Sequence, residues 1–333
     1  KNIYLTKVTI TADKPIAGTF NIAGGSIAGN APAANSSNTI TLTTNNFPLN
    51  TTVANVAKNA AYMVIAPGTY NFTIGYTIKD PTTRFEGTIT KTLTTFTCDE
   101  GKIHDITANL TPPDYDGDHY YMWDAQKQHW DGYEWTKKLP LGIGQPILVG
   151  QRSDSYPKNN TDPRWYNEAN PGSAATHASC KDLPNANEMS WYVMYGDPRL
   201  DEDKVWSSMG HLYKMGMWFK KKSVLIAEGH YNTEKSANNS TDLRTGYKEY
   251  LITNNNTSVP TAAEASNYFY LPALGGYSSY LLNDLGYRLR YWSSTACPGP
   301  STFKYAYFLY VDHRHVYVSR STRYAGWYAM MFE

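Results

Sequence analysis

Three aspartates alternate with tyrosine and glycine in the run Asp114-Tyr115-Asp116-Gly117-Asp118. Loops that bind Ca²⁺ space their carboxylates in this way, so Asp114, Asp116 and Asp118 are the candidate metal ligands. A full calcium loop goes on to a bidentate glutamate, whereas this run enters Tyr120-Tyr121-Met122-Trp123. The same spacing therefore also reads as a solvated linker, and calcium is the one cofactor in question. His313 and His315 flank Arg314 and offer two imidazoles, but no third ligand is visible and the segment reads as an exposed turn. Cys98, Cys180 and Cys297 are odd in number, at spacings that fit neither zinc nor a disulfide framework. One bridge at most is possible among them. Glu188 and Asp182 are close enough in sequence to suggest paired acids. No Gly-x-Ser-x-Gly, His-Glu-x-x-His, phosphate loop or dinucleotide fingerprint occurs. The expectation is a protein with no catalytic residues, that is, not an enzyme.

A second group of side chains suits binding rather than catalysis. Trp130, Trp135, Trp165, Tyr156 and Tyr166 lie among Asn, Asp and Gln in segments without regular period. An aromatic ring can cover the apolar face of a pyranose while neighbouring amides and carboxylates bond its hydroxyls. Trp130, Trp135, Trp165 and Tyr166 are accordingly the candidate ligand-binding residues, with core packing as the alternative for about half of such rings.

These residues must be positioned by two differently composed regions. All 9 Trp and 24 of the 28 Tyr follow residue 111, while the first third is rich in Thr, Asn, Ala and Ile. The expected boundary is at Leu110-Thr-Pro-Pro113, giving domains 1–111 and 112–333. Before it, six alternating runs read as strands: Ile3 to Ile10, Thr39 to Thr43, Tyr62 to Ile65, Thr69 to Ile78, Phe85 to Leu93 and Lys102 to Leu110. Turn residues at Ala66-Pro67-Gly68, Lys79-Asp80-Pro81 and Asp99-Glu100-Gly101 separate them. Short strands with no helix between them make an antiparallel β-sandwich.

After the boundary, Asn187 to Tyr195 is the best helix, with Met189, Tyr192 and Val193 on one face and Asn185 or Asn187 as its cap. A weaker helix is expected from Leu200 to Leu212. Ser153 to His177 and Asn232 to Thr257 are polar and read as long surface loops. Tyr305 to Val318 alternates large residues on both faces, broken at Asp312-His313-Arg314, which is a β-hairpin inside a sheet. The fold class is mainly β with α+β.

Charge narrows the partners. With 30 basic and 29 acidic residues the net charge is +1, which leaves no electrostatic footprint for nucleic acid or an anionic membrane. No apolar run approaches the ~20 residues of a membrane helix. The chain opens on a strand, and a segment removed ahead of Lys1 is expected.

The ordered motifs are familiar. Tyr121-Met-Trp-Asp-Ala125, Ser179-Cys-Lys-Asp-Leu-Pro184 with Glu188, Gly216-Met-Trp-Phe-Lys-Lys-Lys222, Leu271-Pro-Ala-Leu-Gly-Gly276, Trp292-Ser-Ser-Thr295 and Arg323-Tyr-x-Gly326 resemble the extracellular domain called FISUMP. The resemblance covers roughly the last two thirds of the chain. It implies a C-type-lectin-like α+β domain with long loops, in which Glu188 ties a helix to a loop. Lectin calcium sites carry Glu-Pro-Asn or Gln-Pro-Asp and Trp-Asn-Asp triplets, which are lacking here, so any sugar binding is expected to be calcium-independent. Relatives end on an Arg-Cys-Val-type segment whose cysteine could pair with the one near Leu-Pro, whereas this chain has Tyr328-Ala-Met-Met-Phe332 there, so the resemblance leaves Cys180 either free and buried or bonded to Cys297. Related lectin-like enzymes hold copper between two cysteines, which makes a formylglycine-type oxidase or a hydrolase the enzyme alternative. The Ala66-Pro-Gly-Thr-Tyr70, Thr88-Ile-Thr-Lys-Thr-Leu93 and Glu100-Gly-Lys-Ile103 series resembles the β-sandwich of Bacteroides-type fimbrillins. Together they imply a cell-surface fimbrial subunit, made through an outer-membrane-associated lipoprotein precursor. Such a subunit would join others by donor-strand exchange and, as a tip adhesin, bind a carbohydrate or host-surface ligand. A structural fimbrial anchor is the other alternative, and no nucleic-acid partner is implied.

Overall fold

The fold is that of a computed structural model, which describes residues 3–29, 31–49, 55, 60–132, 156–165, 174–278, 281–299 and 304–333. The chain divides into two compact units, Lys1–Pro113 with Gly210–Leu212 and Asp114–Met209 with Tyr213–Glu333. It is mainly β, built from several antiparallel sheets without a barrel. Among the described residues no helix is long and apolar enough to cross a membrane.

The first unit is sandwich-like, organised on one four-stranded antiparallel sheet. Its strands are β1 (Tyr4–Ala12), β2 (Thr39–Pro48), β3 (Gly68–Asp80) and β4 (Phe85–Cys98), in the order β2-β1-β3-β4. In β3 the alternation works as the residue types require, with Tyr70, Phe72, Ile74, Tyr76 and Ile78 buried on one face. In β1, Leu5 and Val8 both point inward although they are three residues apart. A bulge between Leu5 and Lys7 inserts the extra residue that resets the phase. Threonines line the other face and pair across strands, Thr9 with Thr41 at 3.3 Å, Thr11 with Thr39 at 3.1 Å and Thr69 with Thr97 at 3.0 Å.

Two expected strands are absent. Tyr62 to Ile65 and Lys102 to Leu110 take no strand conformation, and Val64 and Ile103 are 93% and 83% exposed. Alternation makes a strand only when a neighbouring backbone pairs with it, and these runs have no such neighbour among the described residues.

The second unit combines a helix with a large sheet. Helix α1 (Ala186–Tyr195) is capped by Asn185, whose side chain accepts from the Glu188 N–H while the Glu188 carboxylate accepts from the Asn185 N–H. The main sheet contains β5 (Tyr120–Tyr121), β6 (Tyr250–Thr253), β7 (Leu274–Ser278), β8 (Leu281–Leu285), β9 (Leu289–Ala296), β10 (Tyr305–Val311), β11 (His315–Thr322) and β12 (Gly326–Tyr328). Their order is β6-β11-β10-β9-β12-β7-β8, with β5 paired to β12.

The sheet buries both faces, as its two-sided alternation requires. Tyr307, Leu309, Val311, Val316 and Val318 join Met189, Tyr192 and Val193 of α1 in one core. Trp292, Phe308 and Trp327 on the other face pack with Trp123, Cys180 and Leu183 in a second core.

The helix expected from Leu200 to Leu212 does not form. Arg199–Asp201 and Trp206–Ser208 are strands, and Met209 and Gly210 take φ of 52° and 87°, which a right-handed helix cannot contain. Asn232 to Thr257 is not a loose loop either. Leu243 is fully buried, its N–H donating to Asn187 Oδ1 at 2.8 Å, and the segment ends in β6 at the sheet edge.

Candidate ligand-binding site

The aromatic candidates occupy positions quite unlike those their sequence context suggests. Trp130 is 7% exposed and donates its Nε1–H to the Gly117 carbonyl at 2.9 Å. Trp165 is 1% exposed, and the Arg323 guanidinium lies over its ring at 4.4 Å and over Trp123 at 4.8 Å. Neither ring offers a face to a ligand, so both are corrected from binding surface to core. Trp135 and Tyr166 lie outside the described residues.

The aspartate run is also corrected. Asp114 accepts from the Ser207 hydroxyl, while Asp116 Oδ1 accepts from the Asp118 N–H and pairs with His119 Nδ1, both at 2.8 Å. Partial burial works to raise the Asp116 carboxyl, and these hydrogen bonds outweigh it and hold the pKa low. The carboxylates are engaged separately, and among the described residues no three His, Cys, Asp or Glu side chains converge on a metal position. His313 pairs with Glu202 at 2.6 Å and His315 with Asp312 at 3.1 Å, so the two imidazoles serve different partners.

Cys98, Cys180 and Cys297 are free and buried. Cys180 belongs to the tryptophan-rich core and Cys297 to the core against α1. Burial pushes each of these two thiols up to about 12, the reverse of what a nucleophilic or copper-binding thiolate needs. Glu188 is occupied by its capping bond, by the Tyr231 hydroxyl and by Lys222 at 3.5 Å.

Beside Trp165 lies a closed polar cluster. Asp124 is fully buried at a φ of 54°. Its Oδ2 accepts from Arg164 Nη1 at 3.0 Å and from the Thr176 N–H at 2.9 Å, and its Oδ1 accepts from the His177 N–H at 2.8 Å. Arg164 also bonds Asp162, and its backbone carbonyl accepts from Arg323 Nη1. A buried carboxylate with each oxygen held by a fixed donor is suited to anchoring a loop.

An open counterpart sits at one end of the main sheet. Antiparallel pairing sets Leu289 of β9 opposite Val311 of β10, so the turn entering β9 and the turn leaving β10 meet there. Asp284, with φ of 63°, and Gly286, with φ of 75°, shape the first turn, whose Tyr287 and Arg288 N–H groups donate to the Asp284 carbonyl at 3.0 Å. In the second, Asp312 Oδ1 accepts from the Arg314 and His315 N–H groups, each at 2.8 Å. Partial burial opposes ionisation of Asp312, and these two backbone donors prevail and keep its pKa low.

Asp284, Tyr287, Arg288, Asp312, His313 and Arg314 line a shallow depression of about 280 Å³. Tyr287 is 60% exposed, and Asp284 is shared by Arg288 at 3.1 Å and Arg290 at 2.6 Å. This is a small site by the ~300–1,000 Å³ standard of ligand pockets, the size for one terminal group of a larger molecule. Sequence reasoning placed Asp312 to Arg314 on a turn but passed over Tyr287 and Arg288. The available signal was the Asn283-Asp284-Leu-Gly286 turn beside an aromatic residue.

The fold and this depression define a two-unit, mainly β protein with an open, charged and aromatic recess at the end of its largest sheet. No protein-family model, no curated protein and no solved structure matches the chain.

Proposed function

We propose that this protein is a fimbrial subunit acting as a tip adhesin, and that its second unit binds a surface glycan without catalysis. The observation that carries the reading is the depression at 284–288 and 312–314, where an exposed tyrosine stands beside arginine and aspartate side chains. An aromatic face with charged hydrogen-bonding groups is the chemistry that a sugar residue requires. The motif resemblances to FISUMP and fimbrillin domains supply the cell-surface and fimbrial setting.

Assembly with other subunits by strand donation belongs to the same proposal. In the first unit, Ile40, Leu42 and Phe47 of β2 and Ile89, Leu93 and Phe96 of β4 are only half-buried, while the central strands are covered. Apolar outer strands with partly uncovered inward faces suit an added strand from a partner.

Two measurements test the proposal together. Gold-labelled antibody against the second unit should mark fimbrial tips in electron micrographs, and the full chain should bind a defined set of printed glycans in EDTA. Labelling at the cell wall or fimbrial base, or a blank array, would refute the adhesin reading.

A further inference from the structure

The depression is chemically unbalanced in a way that specifies its ligand. Its carboxylates are already bonded. Asp284 is held by Arg288 and Arg290 and Asp312 by two backbone N–H groups and His315, while His313 pairs with Glu202. Arg314 differs, since its guanidinium makes no hydrogen bond or ion pair with any described residue while it lines the recess. A guanidinium presents its donors in a fixed fork that matches an oxyanion through two parallel hydrogen bonds. The arginine lines the same recess as Tyr287, which is exposed to solvent.

We propose that the recess binds the oxyanion of an acidic sugar residue, a carboxylate or sulfate, with Arg314 forking onto the oxyanion and Tyr287 against the ring. This inference rests on the glycan-binding reading and deepens it. A neutral sugar brings no charge to the unpaired guanidinium, whereas an oxyanion meets its fork with two parallel acceptors. A net charge of +1 gives the chain no general attraction for a long polyanion. A single anionic residue at the end of a glycan chain matches both the charge and the size of the recess.

The test uses the full chain on an array of matched pairs: sialylated, uronic-acid-terminated and sulfated glycans beside their neutral parents. Binding should favour the acidic members, weaken as salt rises from 50 to 500 mM, and separate carboxylate from sulfate by which pairs respond. Arg314→Gln should lower affinity by about tenfold or more, the scale of a charge-assisted hydrogen bond, and Arg314→Lys should recover part of it. Melting temperatures of both variants should match wild type, since the side chain carries no structural bond. Equal binding of neutral and acidic members, unaffected by Arg314→Gln, would overturn the acidic-sugar proposal and leave the adhesin reading standing. A wild-type chain that binds no glycan would overturn both.

Discussion

Two clusters in the second unit are built from the same side-chain types and differ in access. One sets Asp124, Arg164 and Arg323 among Trp123 and Trp165, with every carboxylate oxygen bonded and the rings covered. The other sets Asp284, Asp312, Arg288 and Arg314 around Tyr287, with the ring exposed and one guanidinium unpaired. Aromatic, arginine and aspartate side chains are thus no signature of a binding site by themselves. Exposure and unspent hydrogen-bonding capacity separate a structural anchor from a ligand recess.

The comparison breaks first at Asp124. Asp124→Asn removes one of the two carboxylates that pair with the buried Arg164, leaving Asp162 alone against it, and should cost up to about 3–5 kcal/mol in urea denaturation, the range for breaking a buried pair. Trp165→Ala should cost about 3–4 kcal/mol, because it empties a large volume and removes the surface on which Arg323 rests. A loss below about 1 kcal/mol in either variant would show that the closed cluster does not hold the fold.

An intermediate case sharpens the contrast. Asp242 is half-buried, and although burial opposes its ionisation, hydrogen bonds from Arg244 and Asn187 bring its pKa down to about 2 from an ordinary 3.8. A carboxyl whose folded pKa is depressed stabilises the fold above the unfolded value and loses that contribution as pH falls through the folded one. The acid limb between about pH 4 and pH 2 should therefore carry up to about 2 kcal/mol from this group. Urea midpoints of wild type and Asp242→Asn should converge as pH falls from 5 to 2, and a constant gap would remove Asp242 from the account. At the open end, Tyr287→Ala should change stability by no more than about 0.5 kcal/mol, the level of a surface substitution away from any core.

Much of the architecture was legible. The alternation in Thr69 to Ile78, the hairpin broken at Asp312 to Arg314 and the Asn185-capped helix all follow from local residue order. The runs at Tyr62 to Ile65 and Lys102 to Leu110 show where local order stops, because a strand needs a partner that its own residues do not name. The site was less legible for a related reason. Trp130 and Trp165 sit in polar segments, and only the folded chain shows that Gly117 and Arg323 cover them. Tyr287 and Arg314 are 27 positions apart in sequence, and the register of β9 against β10 brings their turns together.

The most direct test of the central claim is glycan-array binding by the full chain carrying Tyr287→Ala, run beside wild type with the melting temperature of each sample recorded. The account expects wild type to bind and the variant to lose that binding at an unchanged melting temperature. Undiminished binding by Tyr287→Ala would contradict it, because the ligand would then be held somewhere other than the open recess.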